Sequence, residues 1–162
     1  VPADVGVEAV VVDGNWYLTY EPPEGAAYRP ITDIGVTAMS REIGEDERQF
    51  ELKIVEDVAP GPGGDSLRIV VALTNLSAEV WSSAGDETGR LGIKVAARLR
   101  AGGALSDNAS RSVIPFVLIP GETAVLAVQL PPEARLGQGM SLDIAVLQEG
   151  CGWWGGGLTV PL

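Results

Sequence analysis

Ser141-Leu142-Asp143-Ile144-Ala145-Val146-Leu147-Gln148-Glu149-Gly150-Cys151-Gly152-Trp153-Trp154 is the stretch on which the fold reading turns. Its first half alternates. Leu142, Ile144, Val146 and Gln148 fall on one side and Asp143, Ala145, Leu147 and Glu149 on the other, the period of a β-strand. Gly150 breaks the run, Cys151 and Gly152 turn it, and two tryptophans follow side by side. Neighbouring strand residues face opposite ways, so one of Trp153 and Trp154 can enter a core while the other looks outward.

The same alternation recurs on both sides of this segment. Val5 to Val12 and Asn15 to Tyr20 read as two strands joined by an Asp13-Gly14 turn. Asp33 to Ile43 alternates, with Ile34, Val36 and Ala38 on one side. Phe50 to Val55 places Phe50, Leu52 and Ile54 together. Ser66 to Leu76 does the same for Leu67, Ile69, Val71 and Leu73, and Trp81, just beyond it, reads as core. Leu91 to Leu99 places Ile93, Val95, Ala97 and Leu99 inward. Arg100 to Asn108 reads as a hairpin loop, and Val113 to Ile119 as an edge or bulged strand because Pro115 cannot donate to a ladder. Pro120-Gly121-Glu122 is a tight turn, with proline and glycine in its two central places. Thr123 to Leu130 alternates, and Leu158-Thr159-Val160 closes the chain. No amphipathic helix is evident. The expectation is an all-β fold, an antiparallel two-sheet immunoglobulin-like β-sandwich of nine to eleven strands.

The chain has 162 residues, 46% hydrophobic and 20% charged, enough for one well-cored domain. We expect a single domain over 1–162, with the Pro/Gly run at 59–64 a long loop or a boundary. Net charge is −11, which disfavours nucleic acid and anionic membrane surfaces as partners. No apolar run reaches membrane-spanning length. There is one cysteine and no histidine, so no disulfide closes within the chain, and the commonest general base and metal ligand is missing. No secretory leader is recognisable, and a cytoplasmic location is the expectation. We expect no cofactor, no metal site and no catalytic constellation.

From Ser66 onward four short motifs resemble a known module. They are Val71-Ala72-Leu73-Thr74-Asn75-Leu76-Ser77 followed by Val80-Trp81, then Leu91-Gly92-Ile93, then Ile119-Pro120-Gly121-Glu122-Thr123, then Leu142 to Gly150 followed by Trp153. Their order and spacing resemble the β-sandwich accessory domain fused to bacterial glycosyltransferases and methyltransferases of surface-polysaccharide synthesis. Residues 66–162 carry the resemblance. Where that family has an aromatic-rich stretch after the Leu-Gly pair, this chain has Ala96-Ala97-Arg98-Leu99. The resemblance implies a non-catalytic carbohydrate-binding or substrate-presenting module. Its partners would be a polysaccharide or oligosaccharide and the domains of a parent enzyme. A scaffolding or homo-oligomerising sandwich is the alternative.

The candidate ligand-binding residues are Trp153, Trp154, Gln148, Glu149 and Tyr17. Aromatic faces stack on sugar rings, and polar groups at a strand end accept hydroxyls. Each has a structural alternative: tryptophans that fill the sandwich end, a hydrogen-bonded strand end, and an ordinary strand face around Trp16, Tyr17 and Tyr20. Asp143 with Glu149 is the only carboxylate pair that suggests glycosidase chemistry, and nothing nearby points to a raised pKa. Cys151 has no base to activate it. Asn75-Leu76-Ser77 and Asn108-Ala109-Ser110 match the glycosylation pattern, which matters only in a secretory setting.

Overall fold

A computed structural model describes residues 38–64, 66–114 and 117–162, together with the backbone of 7–12 and 15–20. The chain divides into two compact units, Val1–Val36 and Thr37–Leu162. In the first, β1 (Val7–Val12) pairs antiparallel with β2 (Asn15–Tyr20), with Val12 opposite Asn15. The Asp13-Gly14 turn and the side chain of Tyr17 lie outside the described residues.

The second unit is a sandwich of two antiparallel sheets. One sheet has the order β3 (Phe50–Pro60), β4 (Leu67–Asn75), β7 (Thr123–Gln129). The other has the order β10 (Leu158–Pro161), β8 (Ser141–Gln148), β5 (Ile93–Ala101), β6 (Ala104–Val113), with the short β9 (Gly152–Trp153) also on β8. There is no α-helix among the described residues. One 3-10 turn, Glu45–Glu47, sits in the charged stretch before β3. No described helix is long and apolar enough to cross a membrane.

Period-2 patterning decides which face of each strand is buried. Ile69, Val71 and Leu73 of β4 and Ala124, Leu126 and Val128 of β7 meet Ile93, Val95, Ala97 and Leu99 of β5 and Leu142, Ile144 and Val146 of β8. Each fully buried aliphatic side chain of this kind contributes roughly 1.5–3 kcal/mol against the entropy of ordering the chain. Trp81 and Trp154 fill one end of this core, edge to face, with ring centroids 5.1 Å apart.

Local chemistry sets the connections. Gly102 and Gly103 both have positive φ, which fits a two-residue hairpin from β5 to β6. The run expected as a loop, Arg100 to Asn108, therefore mostly belongs to two strands. β6 is polar because it is the sheet edge and buries little, so it carries no apolar alternation to read. The strand expected over Val113 to Ile119 is not continuous over its described part. Val113 ends β6, Leu118 makes an isolated bridge with Trp81, and Pro115 and Phe116 lie outside the described residues. The Pro120-Gly121 turn is as expected, with Gly121 at φ 83° and the Glu122 N–H donating to Ile119 C=O.

Two further expectations change. The Asp33–Ile43 strand is absent over its described part: Ala38 is exposed and Met39 is buried. There the chain is held by individual bonds instead of a ladder, including Met39 N–H to Ala84 C=O at 2.8 Å. Ile54, expected on one face with Leu52, pairs in register with Val71 but is exposed on the edge strand β3, next to a bulge between Ile54 and Glu56. Ala59 and Pro60 still belong to β3 and pair with β4.

After β8 the chain folds back along the same edge as β9 and then β10. Leu147 pairs with Trp153 and Ile144 with Leu158, so four residues, 154–157, span two on β8. Gly157 lies in this bulge against β8, where a Cβ would collide with the carbonyl oxygen of Ile144. The bulge lets Trp154 drop into the core while Trp153 stays on the outer face.

Candidate functional site

The outer face of the β10-β8-β5-β6 sheet groups Trp153 with several charged side chains. Cross-strand register builds its rows. Val113, Lys94, Leu147 and Trp153 form one, Arg111, Ala96 and Ala145 the next, and Ala109, Arg98, Asp143 and Thr159 a third. Leu147 points outward yet is buried, flanked in its row by Lys94 and Trp153. Trp153 is half-buried. The Arg98 guanidinium lies 4.2 Å from its ring centroid, a cation–π arrangement.

Trp153 stands between two depressions. One, of about 180 Å³, is lined by Arg98, Asp143, Ala145, Trp153, Gly157 and Thr159 among others. The other, of about 360 Å³, is lined by Arg111, Leu147, Glu149, Cys151 and Trp153 among others.

The charges on this face are largely paired. Glu149 Oε1 meets Arg111 Nε at 2.8 Å and Lys94 Nζ at 3.4 Å. Asp143 accepts from Arg100 Nη2 at 2.7 Å and from the Thr159 hydroxyl at 3.0 Å. The Arg100 hydrogen bond, supported by Thr159, holds the Asp143 carboxyl below its ordinary value despite partial burial. A general acid needs the opposite shift, so Asp143 is unsuited to that role. Burial pushes the Cys151 thiol up, away from the thiolate a nucleophile requires. No cluster of metal-ligating side chains occurs among the described residues.

The depressed Asp143 pKa gives a pH-dependent expectation. The stabilisation is fully present above the unfolded-state value near 3.9 and is lost as pH falls through the lower folded-state value. Asp143→Asn should cost about 0.5–1 kcal/mol at pH 7, a small amount because Arg100 is partly exposed. In thermal melts the gap between wild type and variant should close as pH drops below about 4. A gap that widens on acidification would contradict the pairing.

Not all of the expected ligand contacts come together. Trp153 and Glu149 line the outer face, although Glu149 is held by two cations. Trp154 faces the core, 3% exposed, between Trp81, Phe50 at 6.2 Å and the guanidinium of Arg48 at 5.8 Å. Gln148 is fully buried and faces inward. Its Oε1 accepts from Ile43 N–H at 2.8 Å, and its Nε2 donates to Arg41 C=O at 2.9 Å and Leu91 C=O at 2.8 Å. Trp154 and Gln148 are therefore corrected from ligand contacts to structural residues, sequestered from solvent with the amide's partners already supplied. Arg98 and Arg100 were missed. The register of Arg98 opposite Asp143, two rows from Trp153, is what brings them to the site, and no local motif marks it.

Asn75 is also structural. It is fully buried, donates to Glu79 C=O at 2.7 Å and Leu118 C=O at 3.0 Å, and accepts from the Ser77 N–H and hydroxyl. Its amide is consumed, so the glycosylation reading of Asn75-Leu76-Ser77 does not fit the folded chain. No protein-family model, curated protein or solved structure matches this chain. The site must therefore be read from its own geometry.

Proposed function

We propose that the chain is a non-catalytic carbohydrate-binding or substrate-presenting module on an immunoglobulin-like sandwich, serving a polysaccharide-building enzyme. The observation that carries this reading is Trp153. It is a half-buried indole on the outer face of a sheet, set between two depressions and flanked by charged hydrogen-bonding groups. An amphipathic aromatic with polar neighbours suits a sugar ring, which has an apolar face and a polar rim. The strand order supports the immunoglobulin-like reading: three strands, β3-β4-β7, face a sheet ordered β10-β8-β5-β6, with the two-residue β9 added on β8.

The test follows tryptophan fluorescence during titration with a panel of bacterial polysaccharides. A saturable change is expected from the wild type. Trp153→Ala should weaken binding at least about tenfold, equivalent to about 1.4 kcal/mol. A titration that is flat across the panel at millimolar sugar units would sink the proposal.

A second observation favours a protein contact. The outer face of the β3-β4-β7 sheet presents Val70, Ala72, Val125 and Ala127, and Val125 is 56% exposed. Such a face suits a scaffold that docks to its parent protein or to a second copy. Sedimentation analysis combined with Val125→Glu tests that reading: a dimer that dissociates on substitution would favour it.

A further inference from the structure

We infer that the depression beside Trp153 takes an acidic sugar, a residue carrying a carboxylate, and that Arg98 is its anchor. This inference rests on the carbohydrate-binding reading and names the substrate class of that site.

The argument begins with charge pairing. On this face Glu149 is matched by Lys94 and Arg111, and Asp143 by Arg100. Both Asp143 oxygens are engaged, one by Arg100 and the other by Thr159. Arg98 makes no ion pair and no side-chain hydrogen bond among the described residues. Its Nε is buried without a hydrogen-bond partner there and is out of a ligand's reach, whereas its two Nη groups are not buried and are the donors left for a ligand. Buried donors are nearly always satisfied in folded proteins, and those of a charged group more strongly so. Arg98 nevertheless has a fixed position, stacked 4.2 Å from the Trp153 ring centroid at the edge of the 180 Å³ depression.

A guanidinium held over an indole by a cation–π contact is partly pre-organised. Its fork of N–H donors matches a planar carboxylate, and less side-chain entropy remains to be lost on binding. The chain as a whole carries −11 and repels anions at long range. An anion-binding function therefore needs a local cationic surface, and the outer rows supply one with Lys94, Arg98, Arg100 and Arg111. A neutral glycan makes no use of a guanidinium whose acidic neighbour, Asp143, is already bonded to Arg100 and Thr159. A hexuronate stacking at Trp153 with its carboxylate on Arg98 uses both features together.

The test is an immobilised panel of acidic glycans (oligogalacturonate, oligoglucuronate, oligomannuronate, sialylated chains), each beside its methyl-esterified neutral counterpart. The full chain is applied at low and high salt. Retention on at least one acidic glycan is expected to exceed that on its ester about tenfold and to weaken with salt. Arg98→Gln should abolish the preference for the acid. Lys53→Gln, which removes the same charge from the exposed edge strand β3, should leave it unchanged. Near-ultraviolet circular dichroism checks that each variant is folded. Equal or tighter retention of the esters would overturn the acidic-sugar assignment and leave the carbohydrate reading standing. No retention on any member, acid or ester, would overturn both. A preference that survives Arg98→Gln would overturn the role of Arg98.

Discussion

Trp81→Ala is expected to cost about 3–5 kcal/mol of folding stability, the range for truncating a large aromatic in a well-packed core. Trp81 is fully buried and sits outside both sheets' regular ladders, bridged to Leu118 by a pair of backbone hydrogen bonds at 2.9 and 2.8 Å. It closes one end of the sandwich against Trp154. Its indole N–H is buried without a partner among the described residues. The loss is therefore one of packing and cavity formation, not of a polar contact. Trp81→Phe, which keeps a ring and surrenders no hydrogen bond, should recover a large part of the difference. Urea unfolding of the two variants measures this. Since small domains hold about 5–15 kcal/mol in total, the alanine variant will sit near the edge of folding. Equal midpoints for the phenylalanine variant and the alanine variant would contradict a packing origin.

Gln148→Leu carries the second large effect, about 2–4 kcal/mol, because it preserves volume and strands three backbone groups, one buried and two partly buried. They are Ile43 N–H, Arg41 C=O and Leu91 C=O. The last matters because Leu91 has φ 73°, a left-handed conformation unfavourable for a branched side chain. The Leu91 N–H donates to Glu149 C=O at 2.7 Å, and Gln148 grips its carbonyl. One buried amide thus pins the chain before β3 and the strained turn before β5 to the end of β8. In Gln148→Leu, hydrogen exchange at the Ile43 amide should accelerate far more than in the β4 core. An unchanged rate at Ile43 would show that the clip is held by something else.

The sequence read the core strands correctly where apolar residues alternate across an interior. β4, β5, β7 and β8 have one face against the opposite sheet, and their register follows from that. It misread the start of β6 as loop, because an edge position leaves no hydrophobic alternation, and 38–43 as strand, because the conformation there comes from a distant amide. The candidate site was half legible. One tryptophan in and one out follows from strand geometry, and the bulge at 154–157 makes it so. Gln148 misled because a glutamine at a strand end looks like a solvent group until its partners, some hundred residues earlier, are in place. The motif residues that suggested a family share this character. Asn75, Ser77, Trp81, Gly121 and Gln148 each close a loop or fill a sandwich end. They speak for an architecture, while Trp153, an outward-facing member of those motifs, shares the opposite surface of the sheet with Arg98.

The pairing of β4 with β7 and of β5 with β8 brings together strands separated by long stretches of chain, and Gln148 adds a bond spanning 105 residues. Such a topology must meet the entropy of closing large loops before any pair is rewarded, which places it among domains that fold in milliseconds to seconds. During that interval the apolar strands 67–75 and 142–147 are open to other chains. The strong negative charge then acts on the unfolded population, keeping nascent copies apart until the far ends of the sheets have met.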